Sequence, residues 1–203
     1  MRARRMSVMA KSLQQHRRAL GAKIATPLVG LLRRCRVSPN ALTVAGVLVT
    51  LVAAWLAAEG RFVSSGLVLG GAGLFDLLDG ALARATGRTS KFGAILDSTG
   101  DRVSEAALLV GISLWFAGRG DIVALALCDV ALVASLLVSY IRARGEGMGV
   151  ECTAGLFTRP ERVIVLALGL LSGLVLAAVC IVAFFASVTV VQRLVYLYRK
   201  GVD

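Results

Sequence analysis

Charge is scarce in this sequence, and where it occurs it is one-sided. Only 17% of the 203 residues are Asp, Glu, Lys or Arg and 6% are aromatic, whereas 57% are hydrophobic. Soluble domains carry about 25% charged residues, so a disordered chain, a collagen and an ordinary soluble enzyme are excluded. Cysteine is sparse as well. Cys35, Cys128, Cys152 and Cys180 are widely spaced with no C-x-x-C among them, which excludes a disulfide framework and reads as small buried hydrophobes. No internal repeat or low-complexity tract is present. Acid is missing altogether from residues 1–40, which hold Arg2, Arg4, Arg5, Lys11, Arg17, Arg18, Lys23, Arg33, Arg34 and Arg36, ten of the net +11. Such a surplus can address nucleic acid or mark a transit peptide. Standing ahead of a long apolar run, it suits membrane orientation and anionic headgroups better, with no nucleic-acid partner.

What is abundant is apolar length. Ala41–Ala58 is uncharged and ends at Glu59-Gly60-Arg61. Phe62–Phe75 is apolar until Asp76 and Asp79 intrude. Beyond the polar loop Thr86–Lys91, a third segment runs from Phe92 to Ala117 with Asp97, Asp101, Arg102 and Glu105 inside it. Ile122–Ile141 is a fourth, holding Asp129, and Arg142–Glu161 is a polar connection. Val163–Gln192 is uncharged over 30 residues, more than the about 20 that one span needs, and divides near Ser172-Gly173. Six spans follow. With both ends inside, 20 of the 23 Lys and Arg lie in cytoplasmic segments and only Arg61 and Arg119 in outer turns, the asymmetry of the positive-inside rule. The expected fold is therefore an all-α integral membrane protein of six transmembrane helices, residues 38–203. A basic arm, residues 1–37, precedes it. The arm reads as an amphipathic juxtamembrane helix over Val8–Leu32, with Leu13, Leu20, Ile24, Leu28 and Leu31/Leu32 as its apolar stripe.

Carboxylates inside such segments are costly unless paired or metal-bound, so each is a functional candidate. Asp76 and Asp79 are spaced i,i+3 and Asp97 and Asp101 i,i+4, each pair on one helical face. The midpoints of Asp79/Asp97 and Asp76/Asp101 coincide near residue 88, so a hairpin turning there brings both pairs to one depth. Clustered oxygens favour Mg²⁺, Mn²⁺ or Ca²⁺ over zinc. Two blander readings stand beside this one. Arg84, Arg88, Lys91 and Arg102 can neutralise the acids in salt bridges, and the small residues Gly80, Ala81, Ala83, Gly87, Gly93 and Ala94 can serve tight helix packing as well as ligand room.

The block Asp76-Leu77-Leu78-Asp79-Gly80-Ala81-Leu82-Ala83-Arg84, eight residues, Gly93, three residues, Asp97, three residues, Asp101 resembles the signature of the CDP-alcohol phosphotransferases, a family of six-helix membrane enzymes. The resemblance implies two Mg²⁺ ions, with Mn²⁺ as an alternative, ligated by Asp76, Asp79, Asp97 and Asp101. Asp101 would also take the proton of the attacking hydroxyl. Gly80, Ala83, Arg84, Ser90 and Gly93 would bind the CDP-lipid, with Ser38, Pro39, Asn40 and Ala41 on the cytidine side. Homodimerisation is implied in the same way.

A second stretch concerns the acceptor. Ser139-Tyr140-Ile141-Arg142-Ala143-Arg144 and Gly155-Leu156-Phe157-Thr158-Arg159-Pro160-Glu161-Arg162 put four arginines at the cytoplasmic ends of two spans, where Arg193 can join them. By position alone they are membrane anchors as readily as a site, yet arginines bind phosphate in bidentate fashion. This stretch is similar to prokaryotic phosphatidylinositol-phosphate synthases, with Arg142 where Lys often stands. The resemblance implies transfer of the phosphatidyl group from CDP-diacylglycerol to inositol 1-phosphate, the latter held by Arg142, Arg144, Arg159, Arg162 and Arg193. CMP is released at the cytoplasmic face of the plasma or inner membrane. Glycerol 3-phosphate or another polar alcohol is the alternative acceptor. An ion-coupled transporter would also use intramembrane acids, but near the midplane and with inverted repeats.

Overall fold

The computed structural model describes residues 28–87 and 89–200. Most of the predicted arm, residues 1–27, and Arg88 lie outside the described residues. Residues 28–34 are helical, and six helices follow: α1 (Pro39–Ala58), α2 (Phe62–Thr86), α3 (Lys91–Ala117), α4 (Ile122–Gly147), α5 (Arg159–Ser172) and α6 (Val175–Arg199). Among the described residues there are no strands.

The sequence sets the helix ends through caps. Ser38 Oγ accepts from the Ala41 N–H at 3.1 Å ahead of Pro39 at the first helical position, and Ser90 Oγ accepts from Gly93 at 2.9 Å to open α3. Asp121 Oδ1 does the same for α4, 3.0 Å from the Ala124 nitrogen. Each satisfies an amide that would otherwise lack a partner in the first turn. Glu161 Oε2 accepts the Thr158 N–H at 2.9 Å and opens α5. The long uncharged run divides where expected: Gly173 adopts φ +75° and ends α5, a conformation a side chain would oppose.

α1, α2, α4 and α6 are long and apolar enough to cross a bilayer. The other two fall short for separate reasons. α3 carries Lys91, Asp97, Asp101, Arg102 and Glu105, and α5 has only 14 residues.

The chain folds as two compact units. One contains residues up to Gly46 together with Gly73–Ser98. Its core joins Val29, Leu42 and Leu82, with Leu32, Phe75 and Leu78 packed against them. The described end of the arm thus buries Val29 and half-buries Leu32, while Leu28 and Leu31 of the predicted stripe remain exposed. Val29, outside the predicted stripe, is the residue of the arm buried in this core.

The other unit holds Val47–Ala72 and the residues from Thr99 onward. Its core takes Ala53, Ala57, Leu69, Leu108, Ile112, Cys128, Leu166, Leu170, Val179 and Val182 from all six helices. Small residues let the backbones approach. A Cβ placed on Gly111 would overlap the carbonyl of Ala54, and Ser65 Oγ donates to the Ala53 carbonyl at 2.7 Å. Leu48, Trp55, Leu67, Val133, Leu168 and Phe184 are exposed, apolar surface of the kind a bilayer covers.

Candidate active site

In the first unit, the hairpin formed by the end of α2 and the start of α3 carries Asp76, Asp79, Asp97 and the small residues of the motif, and the start of α1 lies against it. Between them is a cavity of about 200 Å³, lined by Asn40, Asp79, Gly80, Arg84, Ser90 and Asp97 among others. Pro39, Ala83 and Gly93 complete the sequence-predicted set on its wall, together with Thr43 and Thr89, which sequence reasoning did not single out. Asp79 is buried, and its Oδ2 accepts from Thr43 Oγ1 at 2.7 Å. Thr43 stands one turn beyond Pro39 on α1, and no local signal ties it to Asp79, 36 positions away. At Gly93 a Cβ would lie 3.1 Å from Asn40 Oδ1 and 3.0 Å from Ser90 Oγ, so a side chain there would crowd the wall. At Gly80 a Cβ would come within 3.4 Å of Arg84 Nη1. Ser38 and Ala41 are engaged with each other in the cap that opens α1.

The hairpin therefore brings Asp79 and Asp97 to one cavity. Asp76 is exposed on α2, its Oδ1 3.6 Å from where a Gly46 Cβ would stand. The donor set at the cavity consists of hard oxygens, suited to a divalent cation of the Mg²⁺ or Mn²⁺ type. Among the described residues, no three His, Cys, Asp or Glu side chains are already gathered closely enough to hold a metal.

In the second unit, α3 and the N-terminus of α5 are joined by two arginine–carboxylate pairs. Arg159 Nη1 lies 2.6 Å from Asp101 Oδ1, with both side chains partly exposed at 27% and 22%. Arg162, expected among the phosphate ligands, instead has no exposed surface. Its Nε and Nη2 donate to Glu105 Oε1 and Oε2 at 2.5 and 2.8 Å. Sequence spacing could not foresee this correction. Glu105 was only one more charge in an apolar segment until the fold set it opposite a residue 57 positions away.

The remaining arginines differ in their freedom. Arg193 is buried, donating from Nε to the Ala154 carbonyl at 2.9 Å and from Nη1 to that of Val138. Arg142 and Arg144 are exposed at the end of α4, and Arg142 pairs with Glu146 at 2.8 Å, an exposed i,i+4 contact worth little by itself. Asp101 is thus paired with Arg159 of α5, an arginine outside the set Arg84, Arg88, Lys91 and Arg102 that the salt-bridge alternative named.

The CDP-alcohol phosphatidyltransferase family model matches residues 36–197. An archaetidylinositol phosphate synthase from Pyrococcus horikoshii is 40% identical over 168 residues, spanning 82% of this chain and 86% of its own. A phosphatidylinositol phosphate synthase from Corynebacterium glutamicum is 39% identical over 191 residues, spanning 89% and 86%. Among solved structures, phosphatidylinositol phosphate synthase from Mycobacterium tuberculosis with CDP-DAG bound superposes with a TM-score of 0.84 at 31% identity, covering 89% of this chain and 98% of that one. The same protein in complex with manganese and citrate gives 0.83, at 31% identity and coverage of 88% and 92%.

Proposed function

Because this chain belongs to the CDP-alcohol phosphatidyltransferase family and is an enzyme of that class, we propose that it transfers the phosphatidyl group of CDP-diacylglycerol to inositol 1-phosphate. The products are phosphatidylinositol phosphate and CMP. The observation that carries this reading is the cavity where Asp79, Asp97, Gly80, Arg84, Ser90 and Asn40 meet, a wall of oxygen donors and small residues beside one arginine. The mycobacterial structures with CDP-DAG and with manganese support the donor and a divalent ion.

In this reading Asp76, Asp79, Asp97 and Asp101 would hold two divalent cations, Mg²⁺ or, as an alternative, Mn²⁺. When bound, these ions neutralise charge developing on the departing CMP. Everything else falls to the chain. Arg84 and the small-residue wall at Gly80 and Gly93 orient the pyrophosphate, and Asn40, with Ser38–Ala41, receives the cytidine side. Asp101 accepts the proton of the acceptor hydroxyl. The hydroxyl oxygen bonds to the lipid phosphorus, and the bond from that phosphorus to the CMP oxygen breaks. Positioning and electrostatics do most of the work in such transfers.

Arg142, Arg144 and Arg159 bind the acceptor's phosphate, with Arg193 behind them. Contact between Arg159 and Asp101 supports this assignment, since a phosphate on that guanidinium puts the acceptor beside the proposed base. Six spans with the site and both termini in the cytoplasm, and a homodimer in the plasma or inner membrane, complete the proposal.

The test is acceptor competition. Purified enzyme with Mg²⁺ and CDP-diacylglycerol is expected to release CMP faster with inositol 1-phosphate than with glycerol 3-phosphate. Equal or reversed rates would remove the inositol assignment while leaving the class intact.

A further inference from the structure

The Arg162–Glu105 pair has no part in the reaction just described, yet the fold buries it. Arg162 is 0% exposed and Glu105 6%. Sequestering two charges is unfavourable enough that an apolar pair of similar volume commonly serves stability as well or better. What an ion pair supplies and an apolar pair does not is direction. Arg162 donates in parallel from Nε and Nη2 to the two carboxylate oxygens of Glu105. Its remaining nitrogen, Nη1, donates to the Phe157 carbonyl at 3.4 Å. Those three bonds fix the height of α5 along α3 and the turn that precedes α5. The same turn is pinned to α6, with the Leu156 N–H donating to Gln192 Oε1 and the Phe157 N–H to Thr189 Oγ1, both at 3.2 Å.

Arg159 is the first residue of α5 and stands three before Arg162, while Asp101 stands four before Glu105 on α3. Two rungs therefore join the same two helices. One is sealed, with side chains 0% and 5% exposed, and the other is open at 27% and 22%. Only the open rung can meet a soluble ligand.

We infer that Glu105 and Arg162 are positioning residues for the phosphorylated acceptor. The sealed rung sets the start of α5 so that Arg159 is presented at the open rung beside Asp101. This rests on the phosphate-acceptor reading above. Apolar replacements would keep the helices together but release α5 to rotate or slide slightly, and a misplacement of about 1 Å remote from the chemistry can cost about 10²-fold. Lysine at 162 would keep the charge and lose the fork.

The experiment compares the parent enzyme with the double variant Glu105→Leu/Arg162→Met and the single variants Arg162→Lys and Glu105→Gln. For each, the thermal midpoint and the separate KM values for inositol 1-phosphate and CDP-diacylglycerol are measured with Mg²⁺ present. The double variant is expected to keep its thermal midpoint and, within about twofold, its CDP-diacylglycerol KM. Its inositol 1-phosphate KM is expected to rise about tenfold or more, with smaller rises in the singles. A purely architectural pair predicts the reverse, an acceptor KM that returns to the parental value once stability does, and that result overturns the inference. Should the double variant not fold, the same split in Arg162→Lys and Glu105→Gln decides, and unchanged acceptor KM in both overturns it. A parent enzyme that turns over no phosphorylated acceptor at all shows the failure of the underlying reading instead, before any variant is made.

Discussion

Asp101 is asked to do two things at once: to lie against Arg159 at 2.6 Å and, in the proposed reaction, to accept a proton. Asparagine in its place keeps the size and one acceptor oxygen but cannot take up the proton. Asp101→Asn is expected to lower kcat by about 10²–10⁴-fold, the usual contribution of a positioned base, while CDP-diacylglycerol binding stays within a few-fold. CMP release and lipid binding measured side by side check this, and retained turnover excludes Asp101 as the base. At this scale the contiguous motif was readable, although of the four acids that spacing paired only Asp79 and Asp97 line the cavity. Asp79, Gly80, Ala83, Arg84, Gly93 and Asp97 lie within one contiguous motif and do line one cavity. The sequence was opaque where the partner is distant. Thr43 reaches Asp79 across 36 positions and Glu105 reaches Arg162 across 57, and neither pairing leaves a local trace.

Helices were legible through their punctuation. Ser38-Pro39, Ser90, Asp121 and Gly173 each end or open an element for a nameable chemical reason. Hydropathy was less decisive at α3, where Asp97, Asp101, Arg102 and Glu105 interrupt the apolar run. Packing of α1 against α3 was not legible, and Gly111 shows why: nothing in its neighbours along the chain says that α1 passes over it. A side chain there must displace the Ala54 backbone, which cannot move as a rotamer could. Gly111→Val is expected to destabilise the fold by about 1–3 kcal/mol, the range for overpacking, read as a lower thermal midpoint. Gly70→Val on α2, where a Cβ would have nothing within 4 Å, serves as the control. Equal effects of the two would refute close approach of α1 and α3.

For the molecule as a whole, the distribution of arginine carries the proposed topology and is easily tested. In a cysteine-free background, Glu59→Cys and Arg119→Cys are expected to react with a membrane-impermeant thiol reagent added to intact cells, whereas Glu151→Cys is expected to react only after permeabilisation. Labelling of Glu151→Cys from outside would invert the proposed topology. The short length of α5 has a consequence at this scale too. Its 14 residues rise about 21 Å, against roughly 30 Å of hydrocarbon in a typical bilayer. If α5 is a span, as the proposed six-span topology requires, lipid bordering it would have to pinch inward or the helix borrow height from its flanks, and either response would carry an elastic penalty that grows with acyl length. On that proposal the host membrane's thickness would become a determinant of how comfortably the protein sits, favouring thin, short-chained surroundings over thick ones.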